Sequence, residues 1–117
     1  MDLLCLGIAS TAPLAEIAER IAPILGLSLH ARESSYWGEP YFSGPLNGSS
    51  VQLIQNCDPM YDEGIDPPDE RWFASDAVDC PALLLLEVAE ADARVLCERL
   101  ANERRCACRV LGPWPPG

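Results

Sequence analysis

The chain has 117 residues, enough for one ordinary domain with a core of its own. Eighteen carboxylates stand against eight basic residues, all arginine, and the resulting net charge of −10 repels nucleic acid and anionic lipid while attracting basic surfaces. The lack of lysine excludes Schiff-base chemistry and lysine-dependent phosphate loops, and an apolar content of 49% excludes a disordered chain.

Met1-Asp2 carries acid where a secretory leader carries positive charge, and the apolar run behind it is short, so no signal peptide is expected. No stretch approaches the roughly 18–20 apolar residues of a membrane span. A soluble, cytoplasmic protein is the expectation, with its six cysteines (5, 57, 80, 97, 106 and 108) present as reduced thiols.

In chain order, Leu3 to Ala9 is continuously apolar, as a strand buried on both faces is. Ser10, Thr11 and Pro13 signal a helix start, Leu14, Ile17, Ala18, Ile21 and Leu25 repeat at helical spacing, and Gly26 supplies the stop. Leu27 to Arg32 alternates apolar and polar, a strand with one wet face that puts His30, the only histidine, opposite Leu29. Tyr36 to Phe42 holds several aromatics and Pro40, which predicts an edge or bulged strand. The Gly- and Pro-containing stretch from Gly44 to Ser50 then leads into a strand over Val51 to Cys57, completing a hairpin.

Between Asp58 and Asp79 stand eight carboxylates, three prolines and a single arginine, with Met60, Tyr61, Ile65, Trp72 and Phe73 set among them. Neither the helical nor the strand period is sustained there, so a long loop is predicted, and a connection of that length in a small domain points to function. Ala82 to Val88 reads as a buried strand after Pro81. Glu90 and Asp92 suit the first turn of a helix with Ala93, Leu96, Cys97 and Leu100 on its core side. Cys106 to Leu111 makes the last strand, and residues 113–117 read as a Pro-rich, frayed tail beyond a single domain over 1–112.

Strand, helix, strands, acidic loop, strand, helix, strand implies an α+β fold: a ferredoxin-like or related sandwich with one mostly antiparallel sheet and both helices on one face.

The residues offer little for catalysis. The strand-to-helix turn Leu6 to Thr11 has one glycine and no following lysine, so it is a cap and not a phosphate cradle. An EF-hand register starting at Asp58 puts Glu63 where glycine is required, and one starting at Asp62 puts Phe73 at the last ligand position. Cys106 and Cys108 would place two sulfurs on one face of a strand, but no CxxC and no nearby histidine complete a metal site. No enzyme activity, metal or cofactor is expected. Acids interleaved with aromatics have the makeup of a protein-binding patch, in which rings anchor and carboxylates steer.

Arg32-Glu33-Ser34-Ser35-Tyr36-Trp37-Gly38-Glu39-Pro40-Tyr41-Phe42, Val51 to Asp58, the acidic loop and Pro81 before Leu83-Leu84-Leu85 together resemble small bacterial immunity proteins. These accompany polymorphic toxins, including those of contact-dependent growth inhibition systems, and the likeness runs over residues 30–105. The resemblance implies a cytoplasmic protein that binds and blocks a cognate toxin, commonly a nuclease with a basic cleft, and it carries no catalytic residues over. The partner-binding residues expected are Asp58, Tyr61, Asp62, Glu63, Asp66, Asp69, Glu70 and Trp72. The alternative is a small homodimeric ligand-binding or regulatory module working through its sheet, with no toxin partner.

Overall fold

The computed structural model describes residues 3–34, 38–46, 49–57, 61–74, 77–104 and 106–114; for 34, 38–40, 49, 69, 70 and 104 it describes the backbone alone. Within these residues, six strands form one sheet in the order β2-β3-β4-β5-β1-β6, every neighbouring pair antiparallel. The strands are β1 (Leu3–Ile8), β2 (His30–Ser34), β3 (Gly38–Leu46), β4 (Ser49–Gln55), β5 (Ala82–Glu87) and β6 (Cys108–Pro113). Helix α1 (Leu14–Leu25) joins β1 to β2, and α2 (Glu90–Arg104) joins β5 to β6. The α+β expectation therefore holds. β1, α1, β4, β5, α2 and β6 follow a ferredoxin-like order, and the β2–β3 pair widens the sheet on the β4 side. No helix among the described residues is long and apolar enough to cross a membrane.

Alternation along the strands sorts the side chains into two cores. Leu4, Leu6 and Ile8 of β1, Val51 and Leu53 of β4, and Leu84 and Leu86 of β5 face the helices, meeting Ile17 and Ile21 of α1 and Ala93, Cys97 and Leu100 of α2. The odd partners turn the other way: Cys5, Leu83 and Leu85, with Ile54, face a second layer made of Ala74, Ala77 and Cys80 from the β4–β5 loop. Burying a leucine on either face is worth about 2 kcal/mol, so both layers stabilise the sheet.

Three expectations are corrected. Of the two alternatives for the strand containing Pro40, the bulged one holds, since its register with β2 shifts there, and the edge one does not: β3 lies between β2 and β4. Its pairing with β4 begins only at Phe42, and its register with β2 shifts between Arg32 and Ser34, so Pro40 falls where the ladder demands little of its missing N–H. The first turn of α1 is capped at Pro13 without a side-chain bond, and Ser10 instead accepts a hydrogen bond from the Ala12 N–H at 3.3 Å. The last strand starts at Cys108, so Cys106 precedes it and the two sulfurs do not share a strand face. Tyr36 and Trp37 lie outside the described residues.

The expected tail is also partly anchored. β6 extends to Pro113 through a bulge at Leu111, where Cys5 pairs with Gly112 but Leu6 with Val110. Gly112 at φ +124° occupies a conformation other residues rarely adopt, and the bulge turns Leu111 and Trp114 onto the second core. The Trp114 N–H then donates to the Leu3 carbonyl at 2.8 Å.

Candidate functional site

The β4–β5 connection is two structures in one. Its C-terminal half, described for residues 73, 74 and 77–81, is pinned to the sheet by Asn56, the sole buried polar side chain among the described residues. Asn56 Nδ2 donates to the carbonyls of Ala74, Ala77 and Cys80 at 3.2, 3.0 and 3.1 Å, two N–H bonds shared over three acceptors. Asn56 Oδ1 accepts from the Ala74 N–H at 2.8 Å, and its backbone N–H donates to the Pro81 carbonyl. One side chain thus satisfies the Ala74 N–H and the Cys80 carbonyl and adds a second bond to the Ala74 and Ala77 carbonyls, which also accept from the Ala77 and Cys80 N–H groups.

The sheet makes room for this half at Gly7, where a Cβ would lie 2.7 Å from Cys80 Sγ. From the rim, Arg109 on β6 grips Asp79 with two bonds of 2.6 and 2.9 Å, and that guanidinium holds the Asp79 carboxyl below its usual range. Phe73 packs edge-on against Trp114 at 6.2 Å, so this aromatic pins the loop to the core. Burial in the same layer pushes the Cys5 thiol up to about 12.

The N-terminal half, residues 61–72, is an arm with no fully buried side chain among those described. Asp62 organises a tight turn: its carbonyl accepts from the Ile65 and Asp66 N–H groups at 3.1 and 2.7 Å, and its Oδ1 accepts from Gly64 at 2.9 Å. Asp66 Oδ2 closes the turn by accepting from the Asp62 N–H at 3.0 Å. The result holds Ile65 outward, 81% exposed, with carboxylates on both sides. Pro67 and Pro68 then start a single 3₁₀ turn, Pro68–Arg71.

Charge separates the halves as well. Among the described residues, Glu16, Glu90 and Glu103 pair with Arg20, Arg94 and Arg99 along the helices, and Asp79 pairs with Arg109. Among the same described residues, Asp62, Glu63 and Asp66 have no such cation. Arg71, the arm's arginine, lies over the Trp72 ring at 5.3 Å.

Of the residues expected from sequence, Asp62, Glu63 and Asp66 come together in one turn, with Tyr61 and Trp72 half-buried at the two ends of the arm. Asp69 and Glu70 sit on the 3₁₀ turn, where only the backbone is described, and Asp58 lies outside the described residues. Two residues went unassigned from sequence. Ile65 is the apolar tip, and its signal was an isolated aliphatic between acids. Asn56 is the clamp, and a lone asparagine at a strand end gives no cue to its buried partners. His30 is exposed on the edge strand β2, on an element separate from the arm. No protein-family model matches the chain, and no curated protein matches it.

Proposed function

We propose that the chain is a cytoplasmic immunity protein that docks on a basic protein toxin and blocks it by occupancy, without catalysis. The observation that carries this reading is the 61–72 arm: uncompensated carboxylates around an outward Ile65, held by backbone hydrogen bonds on a loop whose other half is fixed to the sheet. A small apolar anchor ringed by charge suits docking, because the anchor gains contact energy when desolvated and the charges steer encounter. A nuclease cleft, lined with cations for its phosphate substrate, is the complementary surface. Preorganisation by Asp62 and Asp66 lowers the ordering cost of binding.

The test is co-expression with the protein encoded by the adjacent gene, followed by co-purification and a growth assay. A complex that relieves toxicity is expected. Absence of both complex and protection sinks the proposal. Replacing Asp62, Glu63 and Asp66 by their amides should slow association about tenfold at low salt and flatten its salt dependence.

A further inference from the structure

The thiols of Cys97 and Cys108 approach each other across the α2–β6 contact, with Sγ to Sγ at 3.1 Å. A disulfide needs about 2.05 Å, so closure asks for a movement of about 1 Å between a helix and an edge strand already packed together. We propose that Cys97 and Cys108 form a reversible peroxide-responsive thiol pair, in which Cys97 is the attacking sulfur and Cys108 the resolving one. The assignment is independent of the partner reading.

The roles follow from placement. Cys97 is buried on the core side of α2, where its sulfur shares a hydrogen bond with Cys108; that bond holds its thiol below the usual cysteine range and favours the thiolate. Cys108 is half-buried at the start of the edge strand β6, packed on the helix side of the sheet with Cys97, so solvent reaches the pair from the Cys108 side. A low-lying thiolate beside a resolving thiol is the arrangement of redox-responsive cysteines. Cys5, Cys80 and Cys106 lack it: they are buried and pushed upward by desolvation.

The chemistry balances with hydrogen peroxide as oxidant. The Cys97 thiolate attacks one peroxide oxygen, the O–O bond breaks, and hydroxide leaves to take up the proton that Cys97 released, giving a sulfenic acid and water. Cys108 Sγ then displaces the sulfenic oxygen, which departs as a second water, and the S–S bond forms. Two thiols lose two electrons and one peroxide gains them.

The cross-link would tie β6 to α2. Arg109 and Trp114, which hold Asp79 and Phe73, lie on that strand or directly after it, so oxidation fixes the strand that clamps the pinned half of the loop.

The experiment treats the full chain with one equivalent of hydrogen peroxide, alkylates the remaining thiols and maps peptides by mass spectrometry. Two of the six thiols should be lost, with Cys97 joined to Cys108; fragmentation separates Cys108 from Cys106. The oxidised protein should melt about 10 °C higher, reversibly with dithiothreitol. In Cys108→Ser, Cys97 should stop at the sulfenic acid and be labelled by dimedone. Six free thiols, a bond between other cysteines, or a dimedone adduct elsewhere in the variant overturns the proposal.

Discussion

The two halves of the β4–β5 connection are neighbours in sequence and opposites in physics. Residues 73–81 are held by burial and by one asparagine serving four backbone groups, whereas residues 61–72 are held by their own turn bonds and leave charge and an isoleucine in solvent. A loop that must present a surface needs both, since an arm with no fixed base would lose on ordering what its contacts gain.

The sharpest way to break the comparison is Asn56→Ala. It removes the side-chain partner of the Ala74 N–H and the Cys80 carbonyl in a buried layer, and the second bond to the Ala74 and Ala77 carbonyls, which keep the Ala77 and Cys80 N–H groups. The cost should be about 3 kcal/mol in urea unfolding, enough to loosen the arm as well. A loss below about 1 kcal/mol would show that Asn56 is not the clamp. Gly7→Ala should come next, at about 2 kcal/mol, because its Cβ collides with Cys80 Sγ at 2.7 Å under the same half.

Ile65→Ala should leave stability within about 0.5 kcal/mol, as exposed sites do, yet weaken binding to the proposed toxin partner about tenfold in calorimetry. Equal losses in both would place Ile65 in the fold instead of at an interface. The smallest effect belongs to Asp79. Its carboxyl titrates lower when folded than unfolded, so its contribution is present above the ordinary carboxylate range and fades as pH falls through the lowered folded value. Proteolysis between residues 73 and 81 should therefore quicken on acidification in the native chain, and Asp79→Asn should remove that dependence.

Much of this was legible in the sequence for local reasons. The unbroken run Leu3 to Ala9 gave a strand buried on both faces, and the spacing of Ile17, Ala18 and Ile21 gave the core side of α1. For β3 the bulged alternative held and the edge alternative failed, because a proline excludes a residue from a ladder only where its N–H is demanded, and pairing on each side of Pro40 is a tertiary fact. The acids of the arm were legible as composition. Their gathering into one turn around Ile65 was not, since it depends on which backbone N–H each aspartate accepts. The Cys97–Cys108 approach arises from how α2 lies on β6, which neither residue's local pattern encodes.

The position of β1 has a consequence for biogenesis. Both of its partners, β5 and β6, come from the last third of the chain, so the apolar run Leu3 to Ile8 emerges from the ribosome long before anything can pair with it. Until residue 87 is made, the centre of the sheet is missing and the β2–β3–β4 meander has no neighbour on its inner side. Closure of the sheet accordingly waits on its late strands, is slowed by this long-range pairing, and depends in the interval on whatever shields that first strand from its counterparts on other ribosomes.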